Sequence, residues 1–181
     1  AMLVASAVDL RKVGCLTIDP VPSRDQGWGI VQLDRVLRFP WSEFSLTAVD
    51  DEYGFTDAAD EPMTWTVSAT KSRGLKVVLA WTAPPSHSSA VSNLVNDLDL
   101  VVQGPDGQTY VGNAFSGGES LAGTSSSDRR NNLEVVWIEH AAVGEWTVTV
   151  TPHQIVTGPQ PFAVVVTAPI TPELIRWPGP G

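Results

Sequence analysis

The sequence predicts a mainly β protein, an antiparallel sandwich or barrel, and three observations carry that prediction. First, apolar residues recur at period two in five short runs: Leu75/Val77/Leu79/Trp81, Leu98/Leu100/Val102, Leu133/Val135/Trp137, Trp146/Val148/Val150 and Phe162/Val164/Val166. Alternation of this kind, bounded by Gly, Pro, Asn or Asp, puts one face of each strand in a core. Second, 15 glycines and 14 prolines are spread between the runs, where turns joining strands need them. Third, 43% hydrophobic residues in 181 allow a core without staples, and a single cysteine, Cys15, cannot form an internal disulfide.

Taken in order, residues 1–9 (AMLVASAVD) contain no breaker and read as the end of an apolar helix. A loop follows, closed by Pro20 and Pro22. In DQGWGIVQLDRVLRF, Val31, Leu33, Val36 and Leu37 make one face of a short helix ending before Pro40. Two helical stubs cannot make a domain, so they must lean on something else. The β pattern begins at about residue 43. DDEYGFTDAADE at 50–61 holds six acids and no base; no frame of it fits an EF-hand, and it reads as a solvated acidic loop. GPDGQ at 104–108 is a hairpin turn with Gly107 at its left-handed position, and AAVGE at 141–145 reads as a second hairpin. Residues 115–127 (FSGGESLAGTSSS) read as an exposed loop, and 171–181 as a Pro-rich tail.

Charge and length exclude some functions. A net charge of −9 argues against a nucleic-acid partner, which requires a basic face. No apolar run approaches the ~20 residues of a membrane helix, so no membrane partner is expected. The chain opens at Ala1 with no charged leader, and is expected to be a piece of something longer.

Several segments point to a family. GWGIVQLDRVL resembles the segment that closes the catalytic domain of bacterial subtilisin-like serine proteases, and AMLVASAVDL resembles the helix before it. LKVVLAWTAPP, LVNDLDLVVQGPDGQTYVGN, DRRNNLEVVWIEH and GEWTVTV, in that order, resemble the C-terminal β-barrel of the alkaline, oxidatively stable subtilases. DLDLVVQGPDGQT with GEWTVTV is also similar to the P domain of the proprotein convertases. The resemblance covers Ala1 to about Ala168. It implies a remnant of a subtilisin-like α/β domain over 1–38, a jelly-roll-like β-sandwich over 43–170 and the tail at 171–181. It also implies a secreted, extracellular parent endopeptidase acting on protein substrates, with the missing catalytic domain as this chain's partner. In that family the catalytic Ser lies in a Gly-Thr-Ser-type motif at a helix N-terminus, which would fall upstream of Ala1. Thr124 and Ser125 in AGTSSSD precede no apolar helix, so the chain is expected to carry no protease triad and to be no enzyme by itself.

Candidate chemistry is therefore sought in carboxylates. Asp97 and Asp99 in NDLDLVV are two apart on a strand and project opposite Leu98 and Leu100. Like charges so close need a cation or donors between them. Asp128, Asn131 and Asn132 add oxygen ligands before the next strand. Hard oxygens without nearby His or Cys suit Ca²⁺, and the resemblance implies calcium as well, although Ala83 stands where many relatives have Asp. The candidate metal ligands are Asp97, Asp99, Asp128 and Asn131. His87 in PPSHSSA lies beside serines, but adjacent residues on an extended loop point apart; His140 and His153 follow strand ends and have no ligand-spaced partners. Among seven tryptophans, Trp81, Trp137 and Trp146 fall in phase with their strands' apolar faces. Trp41, Trp65 and Trp177 remain for a surface role, which keeps a second reading open: a stand-alone carbohydrate- or protein-binding sandwich.

Overall fold

The computed structural model of the chain describes residues 1–12, 18–37, 39, 41–42 and 44–169. It opens with helix α1 (Met2–Ser6), then the paired two-residue strands β1 (Ala7–Val8) and β2 (Ile30–Val31), with 3-10 turns at Leu10–Lys12 and Leu33–Arg35. The strands that follow are β3 (Ser45–Phe55), β4 (Met63–Ala69), β5 (Leu75–Trp81), β6 (Asp97–Gln103), β7 (Thr109–Ser116), β8 (Glu119–Ala122), β9 (Leu133–Ile138), β10 (Gly144–Gln154) and β11 (Gln160–Ala168). They form two antiparallel sheets, β4-β10-β6-β7-β8 and β3-β11-β5-β9, packed face to face as a β-sandwich. The Cys15 and Trp177 positions and the tail at 171–181 lie outside the described residues.

The core follows from the alternation. Leu98, Leu100 and Val102 of β6 and Trp146, Val148 and Val150 of β10 face Val77, Leu79 and Trp81 of β5 and Phe162, Val164 and Val166 of β11. Phe162 stacks on Phe55 at 5.3 Å and meets Trp65 edge-on at 6.2 Å. Trp65 is thus a core residue and not a surface one.

Four sequence readings are corrected. On β9 the inward residues are Glu134, Val136 and Ile138, while Leu133 and Val135 belong to a second cluster on the outer face, and Trp137 packs there beneath Lys76. AAVGE joins β9 to β10, which lie in different sheets; it is an arch between sheets, with Trp146 Nε1 donating to Ala142 O at 2.9 Å. The stretch 115–127 contains the turn between β7 and β8, made possible by Gly117 and Gly118 at φ 65° and 100°. Half of the acidic stretch is strand: β3 runs to Phe55, and only the turn after it is a loop, where Asp60 Oδ2 accepts from the backbone of Thr56 at 2.6 Å and Asp57 at 3.0 Å.

The N-terminal segment is also seated differently from expectation. Among the described residues of this segment only α1 is α-helical; Ile30–Val31 pair with β1 because Gly29, at φ 100°, brings its backbone against Val8, where a β-carbon would collide. Ala5 and Val36 pack on Val78, Val135 and Val165, the outward residues of β5, β9 and β11. Lys76 Nζ donates to Ala7 O at 2.6 Å, and Asp9 binds Arg11, whose Nη2 reaches Gly117 O at 3.3 Å. The stubs therefore lean on the sandwich itself. Their other side is bare: Met2, Leu3, Ile30, Val31, Leu33 and Leu37 are exposed, on elements that touch one another.

Candidate functional site

The sequence-derived acids lie along the seam where β6 passes β9. β7 pairs with β6 only from Thr109 to Val111 and then leaves it at Gly112 and Asn113, the latter at φ 61°. Asparagine tolerates that left-handed backbone better than most residues. Its side chain serves as a rung: Nδ2 donates to Leu133 O at 2.7 Å and Oδ1 accepts from Val135 N–H at 3.0 Å. Ser120 Oγ of β8 likewise accepts from Trp137 N–H at 2.9 Å. Glu134 spans the seam from inside, with Oε2 accepting from Leu100 N–H at 2.6 Å. Side chains thus join the two sheets where backbone ladders do not.

Glu134 is wholly buried, and its Oε1 has no hydrogen-bond partner. Burial, opposed by the Leu100 bond and reinforced by Asp99, Asp128 and Asp97, pushes its carboxyl up to about 8, so it is largely the neutral acid at pH 7. Gly112 leaves the room it needs, since a β-carbon there would enter the carboxyl group.

Asp97 and Asp99 do project away from Leu98 and Leu100, and a guanidinium answers them. Arg129 Nη1 bonds Asp97 Oδ2 at 3.2 Å and also Asp99 Oδ1, while Nη2 bonds Asp99 Oδ2 at 3.0 Å. Asp97 is only 5% exposed and its Oδ1 is unpartnered. Its carboxyl is raised above the usual range by burial, which outweighs Arg129. Asp128 and Asn131 form a separate turn. Asp128 Oδ1 accepts from the backbone of Arg130 at 2.8 Å and Asn131 at 3.3 Å, and Oδ2 accepts from the Nδ2 groups of Asn131 at 2.6 Å and Asn113 at 2.7 Å. Burial works against its ionisation, but these bonds, led by Asn131 and Asn113, hold the carboxyl below its usual range. The four sequence-predicted residues therefore fall into two pairs linked by Arg129. Among the described residues, no three His, Cys, Asp or Glu side chains are grouped to hold a metal.

Arg129, Glu134, Asn113 and Gly112 are the site residues that sequence reasoning missed. Glu134 did carry a signal, an acid in the inward phase of an otherwise apolar strand. Elsewhere, His87 Nδ1 and Ser89 Oγ do meet, at 2.8 Å, because a turn and not an extended loop carries them. The pair is exposed, and among the described residues no carboxylate bonds the ring.

No protein-family model matches the chain. It is similar to three curated proteins of Dictyostelium discoideum. Identity is 29% over 128 residues with serine protease/ABC transporter B family protein tagB (69% of this chain, 7% of the relative). It is 34% over 126 residues with tagD (65% and 6%) and 25% over 165 residues with tagA (87% and 9%). The chain thus has a distant link to proteins named serine proteases and spans less than a tenth of their length.

Proposed function

We propose that this chain is a non-catalytic β-sandwich module of a larger, secreted subtilisin-like endopeptidase, seated against the catalytic domain by the bare side of its N-terminal segment. The observation that carries this is the strip of Met2, Leu3, Ile30, Val31, Leu33 and Leu37. One side of the segment is packed on the sandwich while these six residues face solvent. A patch of that kind marks an interaction surface, and the serine-protease names of the relatives, each more than ten times the matched length, support a peptidase domain as the partner. The module's role is then support of the catalytic domain and placement of protein substrates. In the longer protein, the triple substitution Leu3→Asp, Val31→Asp, Leu33→Asp should shorten the half-life of peptidase activity on casein severalfold. In the isolated chain it should leave the melting temperature unchanged within about 2 °C, since exposed changes cost little. The isolated chain should hydrolyse casein no faster than buffer. Turnover by the isolated chain, or an unaltered half-life in the longer protein, overturns the reading.

Calcium at the seam is a second proposal, favoured by the buried, unpartnered carboxylate oxygen Asp97 Oδ1. The donors are all hard oxygens, as Ca²⁺ requires. Asp97 and Asp99 would hold the ion, with Asp128 and Asn131 completing the set, and the ion would replace Arg129, whose side chain is 39% exposed. Binding only to the folded state at a hundredfold excess over Kd adds about 2.7 kcal/mol, a rise of roughly 5–10 °C in melting temperature for a chain of this size. Asp97→Asn and Asp99→Asn should abolish the rise. Equal melting in EDTA and in millimolar Ca²⁺ would leave Arg129 as the resident cation.

A further inference from the structure

A cavity of about 320 Å³ lies between the N-terminal segment and the outer face of the four-stranded sheet. Trp28, Phe44, Phe115 and Trp137 supply its aromatic walls. The volume is at the lower end of small-ligand pockets. Within it lies the Arg35 guanidinium, whose Cζ sits over the Phe44 ring, 5.2 Å from its centroid, and which makes no hydrogen bond or ion pair with any described residue. Burial lowers its pKa, against the pull of Asp34 and Glu139, which marks a cation whose desolvation is incompletely compensated.

The rest of the lining carries charge of both signs. Arg73 and Lys76 add two cations, and Lys76 Nζ lies 5.0 Å from the Trp137 ring centroid. The acids are Asp9 and Glu139, and the Asp9 carboxylate is bound by Arg11 and by Gln26 Nε2 at 3.0 Å. Three cations and two acids thus line the cavity, and Lys76 already donates to Ala7 O.

We infer that this cavity binds a carboxylate carried on an aromatic body, with the Arg35 fork holding the two oxygens and the rings of Trp28, Phe115 and Trp137 enclosing the rest. A planar guanidinium pairs with a carboxylate through two parallel N–H···O bonds. This site is independent of the seam and of the protease reading.

Calorimetric titration of the 181-residue chain with N-acetylphenylalanine and with N-acetylphenylalaninamide tests it, because the two probes differ in the carboxylate and share their shape. The acid should bind saturably, and the amide at least about tenfold more weakly, as loss of a charge-assisted pair requires. Arg35→Gln should bind the acid no better than wild type binds the amide, and Arg35→Lys should fall between. Equal affinities for the two probes, or no saturable heat up to about 10 mM of the acid, overturns the inference. The wild-type comparison decides the matter even if a variant fails to fold.

Discussion

Wild-type protein in EDTA should lose stability steadily from pH 5 to pH 8.5, and Glu134→Gln should remove most of that loss. The Glu134 carboxyl ionises near 4.5 when unfolded and at about 8 when folded. Between those values the native state keeps a proton that the unfolded state has released, so stability falls as pH rises. The slope is about 1.4 kcal/mol per pH unit and the loss across the window is of the order of 4–5 kcal/mol. That corresponds to a fall of roughly 10–20 °C in melting temperature for a chain of this length. Asp97, raised by its own burial, adds to the loss with the same sign at the acid end of the window. Asp9 and Asp128 act elsewhere: their carboxyls are lowered in the fold, so their stabilisation is complete above the ordinary carboxylate range and is lost only as pH falls below it. Glutamine keeps an acceptor for Leu100 N–H and carries no titrating proton, so the variant should overtake wild type at pH 8.5. A flat wild-type profile would mean that the buried carboxyl ionises without cost.

The second large effect is expected at Asn96. This side chain is wholly buried, just before β6, and ties the turn between β10 and β11 to the sandwich. Its Oδ1 accepts from Val156 N–H at 2.8 Å and Thr157 N–H at 3.1 Å, and its Nδ2 donates to Thr157 O at 2.7 Å and Gln160 Oε1 at 2.9 Å. Its own carbonyl accepts from Trp81 Nε1 at 3.0 Å, which fixes the ring at the end of the core. Alanine would strand four polar partners, three of them at the edge of solvent, at a cost of about 2–4 kcal/mol. Thermal unfolding at pH 6 should show a melting temperature lower by roughly 5–15 °C. Asn96→Asp, which keeps both acceptor bonds and loses both donated ones, should fall between alanine and wild type. A change below about 1 kcal/mol for alanine would show that water replaces the bonds.

Much of the fold was legible in the sequence because burial on one face leaves a period-two trace. Leu98/Leu100/Val102 and Trp146/Val148/Val150 alternate with polar residues and occupy the core as expected. GPDGQ closes the β6–β7 hairpin, with Gly107 at φ 81°. Where both faces are buried, the trace vanishes. Val77–Val78, Val135–Val136 and Val164–Val166 are unbroken apolar runs, because the N-terminal segment covers the outer face of the four-stranded sheet. Reading Leu133, Val135 and Trp137 as the inward set therefore chose the wrong face of β9.

At the seam, the sequence by itself determined that Asp97 and Asp99 share a strand face, since side chains on a strand alternate whatever the fold. It also determined that two such carboxylates need positive charge or donors nearby. Which cation comes was decided by tertiary structure. Arg129 is 30 residues from Asp99 and lies beside a charge of like sign at Arg130, so nothing local distinguished it. Glu134 meets Leu100 across the two sheets, and its proton is held by burial that exists only when both sheets are in place. The same holds for Arg35, an ordinary arginine on an expected short helix until the packing of the described N-terminal residues on the sheet encloses it beside Phe44. Alternation and turn chemistry are properties of neighbours in the chain; desolvation and charge pairing depend on what folding brings from elsewhere.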